Sequence, residues 1–100
     1  MAISSAVTFR VRDGKVGEQL ENLKAVKKIV ERGGGTFRVH RQVFGAQANS
    51  LIAVSEYKDW NVLAKVRSDP EFSKLVERIR GSATPAGDMV SADLYEEISI

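Results

Sequence analysis

The order of periodicities along this chain predicts an α+β, ferredoxin-like βαββαβ fold, a four-stranded antiparallel sheet with two helices on one face. Three observations lead there. Segments with apolar residues at every second position occur near both ends and in the middle, segments with apolar residues at every third or fourth position separate them, and glycine, proline or asparagine marks the breaks. Short connections and right-handed crossovers then leave few other arrangements.

The first strand is expected over Ala6 to Arg12, where Val7, Phe9 and Val11 alternate with Thr8, Arg10 and Arg12. Asp13-Gly14 closes it. From Lys15 to about Arg32, Val16, Leu20, Leu23, Val26, Ile29 and Val30 recur at helical spacing, with early glutamates and late cations that suit the helix dipole. Gly33-Gly34-Gly35 then stops that helix with a left-handed cap. A phosphate-binding loop is the competing reading of three glycines, but such loops lead from a strand into a helix, and here the order is reversed. Thr36 to Phe44 alternates as a second strand, with Phe37, Val39 and Val43 opposite Arg38, His40 and Gln42. Gly45 to Asn49 makes a turn into a third strand, Leu51 to Tyr57, apolar on both parities until Ser55 and Glu56. Asp59 can cap a helix beginning near Trp60, and Asp69-Pro70-Glu71 restarts it as N-cap, N1 proline and acidic first turn. Gly81 ends this broken helix. After a loop from Ser82 to Asp88, Val90, Ala92, Leu94, Ile98 and Ile100 alternate as a fourth strand.

With 100 residues, 43% of them hydrophobic, the chain suits one domain over 1–100. A core this small gains from association, so an oligomer is expected. The absence of cysteine removes disulfides and thiolate metal sites, and one histidine removes any multi-histidine site within a chain, so no metal is expected. No signal-like start or span-length apolar run occurs, which points to the cytoplasm and away from the membrane. The net charge of +2 hides an asymmetry: residues 1–50 hold nine Lys/Arg against four Asp/Glu, and residues 51–100 six against nine. The two halves are expected to neutralise each other across the sheet, and without a run of cations or interleaved aromatics no nucleic-acid partner is expected.

A helix layer should cover Val7, Phe9, Val11, Phe37, Val39 and Val43, which leaves Thr8, Arg10, Arg12, Arg38, His40, Gln42 and Phe44 on the other face. Two sheets paired across that face would enclose a lumen lined by arginines and one histidine per subunit, suited to an anionic or polar aromatic ligand.

Glu56-Tyr57-Lys58-Asp59-Trp60, followed by a broken helix through Ser68-Asp69-Pro70-Glu71-Phe72-Ser73-Lys74-Leu75, resembles the dimeric α/β-barrel superfamily, especially its antibiotic-biosynthesis-monooxygenase-like and NIPSNAP-like branches. The match is best over the third strand and second helix, and the βαββαβ order extends it along the chain. The resemblance implies a homodimer whose sheets pair as a dimeric α/β barrel, a pocket between sheet and helices, and in some members oxidation of polyphenols without a cofactor. No cofactor is therefore expected. Many monooxygenase-like relatives carry a histidine in the second helix where this chain has Arg67. The asparagine, tryptophan and helical histidine of the haem-degrading branch do not transfer either, since Trp60 and Asn61 are adjacent and His40 belongs to a strand.

His40 is a candidate general base, the one side chain whose ordinary range reaches neutral pH, and Glu56 a candidate general acid or base. The simpler reading of His40 is a strand residue hydrogen-bonded across a dimer interface. Arg10 and Arg38 are candidate ligands for a carboxylate or phenolate, and the simpler reading pairs them with Glu56 or Glu96 on neighbouring strands. Tyr57 and Trp60 are candidates for a pocket mouth, and the simpler reading makes them core anchors. The expected protein is a dimeric barrel that binds a small polar or aromatic molecule in the barrel or the sheet–helix cavity. The alternatives are a cofactor-independent monooxygenase or isomerase on an aromatic or enolisable substrate, and a non-catalytic assembly or regulatory subunit.

Overall fold

The computed structural model describes residues 2–100, and Met1 lies outside them. The elements are β1 (Ile3–Val11), α1 (Val16–Arg32), β2 (Thr36–Arg41), β3 (Leu51–Tyr57), α2 (Trp60–Arg67), α3 (Pro70–Arg80) and β4 (Gly87–Glu96). The strands form one antiparallel sheet in the order β2-β3-β1-β4, so the expected βαββαβ arrangement is present, with the second helix broken into α2 and α3.

The helices cover one face of the sheet. Register assigns that face: Ile3 lies opposite Tyr57, Ser5 opposite Ser55, Val7 opposite Ala53 and Phe9 opposite Leu51, while Phe37 faces Ser55 from β2. Ile3, Phe37, Leu51, Ala53 and Tyr57 join Leu23 and Val30 of α1 and Leu63 and Val66 of α2 in the buried cluster. Ser5 and Ser55 are small enough to bring the helix layer close to the sheet.

Four boundaries differ from expectation, each for a local reason. β1 starts at Ile3 rather than Ala6, because the polar Ser4-Ser5 pair continues the strand, and Ile3 is fully buried. β2 ends at Arg41, so Val43 and Phe44 leave the sheet and stand exposed at the hairpin tip. That tip is closed by Gln42 N–H to the Ser50 carbonyl (2.9 Å) and Asn49 N–H to the Gln42 carbonyl (2.7 Å), with Asn49 at φ 72°. β4 begins already at Gly87 and stops at Glu96, leaving Ile98 and Ile100 exposed beyond it. Within β4 the pairing steps from Thr8↔Ser91 to Phe9↔Met89, so Val90 is an extra, bulged residue and Met89 shares the parity of Ala92 and Leu94.

The helix caps follow the sequence. Asp59 Oδ1 accepts the Val62 N–H at 3.0 Å, and Asp69 Oδ1 accepts the Glu71 N–H at 2.9 Å with Pro70 in the first turn of α3. The three glycines divide their work. Gly33 closes α1 in right-handed geometry, Gly34 takes the left-handed conformation at φ 101°, and the Gly34 and Gly35 amides bond the Glu31 and Val30 carbonyls. Gly35 is buried against the Tyr57 ring, where a Cβ would stand 2.9 Å from Tyr57 Cε1 and from Val30 Cγ1. The run is therefore a helix stop followed by a close approach of backbone to an aromatic ring.

Long-range ion pairs tie the layers together. Arg32, in the last turn of α1, reaches Asp69 Oδ2 at 2.7 Å and Glu71 Oε2 at 3.2 Å at the start of α3. The Arg32 guanidinium, and after it the Glu71 amide, hold the Asp69 carboxyl below its ordinary range.

Two outcomes follow. Gly35→Ala should destabilise the fold by about 1–3 kcal/mol through overpacking on Tyr57 and Val30, read as a lower urea midpoint; an unchanged midpoint would mean that the contact relaxes freely. Asp69→Asn keeps a capping oxygen and loses the charge, so it should lower Tm at pH 7. Because the folded Asp69 is more acidic than its unfolded reference, its contribution is complete above the unfolded pKa of about 3.9. It disappears as pH falls through the lower folded value. The Tm gap between variant and wild type should therefore close below that pH, and a gap independent of pH would point to an uncharged cause.

Candidate functional site

Among the described residues no helix covers the sheet face away from α1, α2 and α3. Register arranges it in rows about 4.8 Å from strand to strand. One row runs Ser91, Thr8, Ile52, His40; the next Asp93, Ala6, Val54, Arg38; the next Tyr95, Ser4, Glu56, Thr36. The two central strands thus contribute a floor of small and aliphatic residues, and the two edge strands contribute mostly polar and charged walls. Ala6, Ile52 and Val54 are half-buried and Thr8 is buried.

The candidates from sequence are divided between the two faces. Arg38, His40 and Glu56 meet on the open face, and Arg10 lies on the same face toward the β2–β3 hairpin end. Arg38 Nη2 bonds Glu56 Oε1 at 3.0 Å, the cross-strand pairing that the strand order implies. Arg10 stands opposite Asp88 but forms no salt bridge among the described residues; Asp88 is instead gripped by Arg12 through Nη2 (2.9 Å) and Nε (3.3 Å). The Arg12 hydrogen bonds hold the Asp88 carboxyl below its usual range, and the charge of Arg10 adds to the effect. His40 is exposed and makes no side-chain hydrogen bond among the described residues.

Tyr57 and Trp60 lie elsewhere. Tyr57 points into the core under the helices, packed on Gly35, so it is separated from Arg38 and His40 by the thickness of the sheet. Trp60, at the first position of α2, is half exposed and donates its indole Nε1–H to Glu96 Oε2 at 2.9 Å. That bond accounts for Glu96, the one acid at a position of the apolar β4 parity, and pins the end of β4 to the start of α2. Sequence reasoning placed Thr8 on this face but did not pick out Ala6, Ile52 and Val54 beside it, or the β4 wall of Ser91, Asp93 and Tyr95. Carrying the alternation of the first strand across to its two neighbours would have found both.

Two recesses open on the helix side. A smaller one of about 220 Å³ between α1 and β2 has Leu20, Leu23, Phe37 and Val39 at its base and Lys24, Lys27 and Arg38 around it. A larger one of about 540 Å³ runs between α1 and α3. No helix among the described residues is long and apolar enough to cross a membrane.

No protein-family model matches the chain, and no curated protein matches it. Solved structures do. The chain is similar to a candidate antibiotic biosynthesis monooxygenase from Deinococcus radiodurans, at 12% identity and TM-score 0.74, over 100% of this chain and 95% of that one. It is also similar to SnoaB, a cofactor-independent oxygenase from Streptomyces nogalater, at 14% identity and TM-score 0.70, over 99% and 95%. A conserved protein from Methanosarcina mazei gives 16% identity and TM-score 0.74 over 98% and 94%. At these identities what is shared is the fold, the ferredoxin-like arrangement of one antiparallel sheet with its helices on one face.

Proposed function

We propose that two copies of this chain pair through their open sheet faces and hold a small anionic or polar aromatic molecule in the lumen between them. One observation carries the reading: an aliphatic floor of Ala6, Ile52 and Val54 lies uncovered between charged walls in a single chain. A second sheet stacked about 10 Å away would remove that floor from water and leave Arg10, Arg38 and His40 of each copy to recognise the ligand. The exposed Val43 and Phe44 at the hairpin and Ile98 and Ile100 beyond β4 add apolar surface that a partner would cover. Arg10, without an ion pair among the described residues, is the cation with a guanidinium to spare for a carboxylate or phenolate.

A second reading is an enzyme using the same lumen, favoured by the fold shared with SnoaB, a cofactor-independent oxygenase. In it His40 is the general base for an aromatic or enolisable substrate with dioxygen as the oxidant, and Arg10 and Arg38 stabilise the resulting anion. Glu56 is held by Arg38 and acts on that guanidinium's position before it acts on a proton.

Native mass spectrometry of freshly purified protein should give twice the chain mass of 11.0 kDa, with ligand mass retained. Ile52→Asp, which places a charge in the floor, should give monomer, and Arg10→Ala should weaken binding of salicylate, a small aromatic carboxylate, by about tenfold, as loss of a charged hydrogen bond does. A wild-type monomer that binds no salicylate would remove the lumen and both readings with it. For the second reading, His40→Ala should abolish turnover of a hydroquinone-type substrate while leaving the dimer intact, and unchanged turnover would take His40 out of the chemistry.

A further inference from the structure

The larger recess is independent of the sheet face. The last turn of α1 meets the first turn of α3 through Arg32, so the two helices lie side by side in opposite directions and the groove of about 540 Å³ runs along both. Its floor is apolar, with Ala25 half-buried and Ile29 and Leu75 buried. Lys24 and Lys28 stand on one wall and Lys74 and Arg78 on the other, each pair four residues apart on its helix, and Glu21, three residues before Lys24 and away from the Arg32 end, is the one further acid besides Glu71 in the lining. None of these four cations forms a salt bridge among the described residues. Arg32, bound to Asp69 and Glu71, closes one end with neutralised charge.

We infer that this groove docks an acidic amphipathic helix of a partner protein. Residues four apart on a helix are about 6 Å from one another, so each wall presents two cations at the repeat with which a helix presents two carboxylates. A third helix laid in the groove between two others is ordinary ridge-and-groove packing. Its apolar residues at three- and four-residue steps meet Ala25, Ile29 and Leu75, and glutamates or aspartates flanking that stripe meet Lys24, Lys28, Lys74 and Arg78 on both sides. A compact anion would engage one pair of cations and leave the apolar floor wet. A nucleic acid would find no aromatic side chain in the groove to stack on.

The test uses the intact chain and a fluorescein-labelled peptide of about 18 residues, with leucine and alanine along one face and glutamate at four-residue spacing on both flanks. Fluorescence anisotropy should report saturable binding that weakens at least about tenfold as salt rises from 50 to 300 mM. A Lys28→Glu/Lys74→Glu variant should weaken it by about tenfold or more, while Lys58→Glu, outside the groove, leaves it within about twofold. Circular dichroism confirms that these surface variants remain folded. A peptide with lysine for glutamate should not bind, and one with glutamine for leucine should bind at least about tenfold more weakly. Equal binding by wild type and the double variant, or by the glutamine peptide, would overturn the inference. Displacement of the peptide by pyrophosphate at millimolar concentration, with the same sensitivity to Lys28→Glu/Lys74→Glu, would also overturn it, since the groove would then be a small-anion site.

Discussion

The period-two alternation of β1 is the constraint on which the rest of the structure depends. β1 is bonded on both sides, to β3 and to β4, so its parity sets the parity of the whole sheet. Ile3, Phe9 and Val11 face the helices, and Ala6, Thr8 and Arg10 face away. A slip of one residue would bury an arginine under α1 and expose Ile3, so the register is strongly specified. The same alternation keeps the side chains that β1 gives to the floor of the open face small, since they are Ser4, Ala6 and Thr8. The candidate site is thus the far side of the core strand, specified by the same residues.

Much of this could be read in the sequence where one rule acted alone. The element order, both aspartate caps, the break at Pro70 and the role of the three glycines rest on spacing and backbone chemistry, and each is present. What escaped required two elements at once. The bulge at Val90 is invisible in an alternating string, because the alternation of β4 reads equally well in either parity until β1 is laid beside it. Tyr57 reads as a core anchor or a pocket-mouth aromatic, and only the approach of Gly35 to its ring decides for the core. The pairing of Arg38 with Glu56 was legible because the fold makes β2 and β3 neighbours, whereas the bond from Trp60 to Glu96 joins a helix start to a strand end that no local pattern links. The cationic groove depends on two helices 37 residues or more apart along the chain lying side by side.

Electrostatics shows a division of labour between the two halves of the chain. Arg12, Arg32 and Arg38 come from the basic first half, and their partners Asp88, Asp69, Glu71 and Glu56 all come from the acidic second half. The charge asymmetry of the sequence is therefore expressed as long-range pairing between layers and strands. All four pairs have solvent-exposed members, so each contributes modestly and serves more to choose partners than to hold them. Four of the cations that form no salt bridge among the described residues, Lys24, Lys28, Lys74 and Arg78, line the groove between α1 and α3.

The bulge in β4 has a consequence for growth in the plane of the sheet. β4 is ten residues long, lies at the margin, and offers its outer edge to water. An unbroken edge of that length is a template on which further strands can add without limit. With Val90 inserted, the outward-facing amides and carbonyls fall out of step partway along, and Asp88 and Asp93 set negative charge on either side of the break. The irregularity works as a stop: the chain keeps a long marginal strand to complete its own sheet while denying the next chain a straight run to copy.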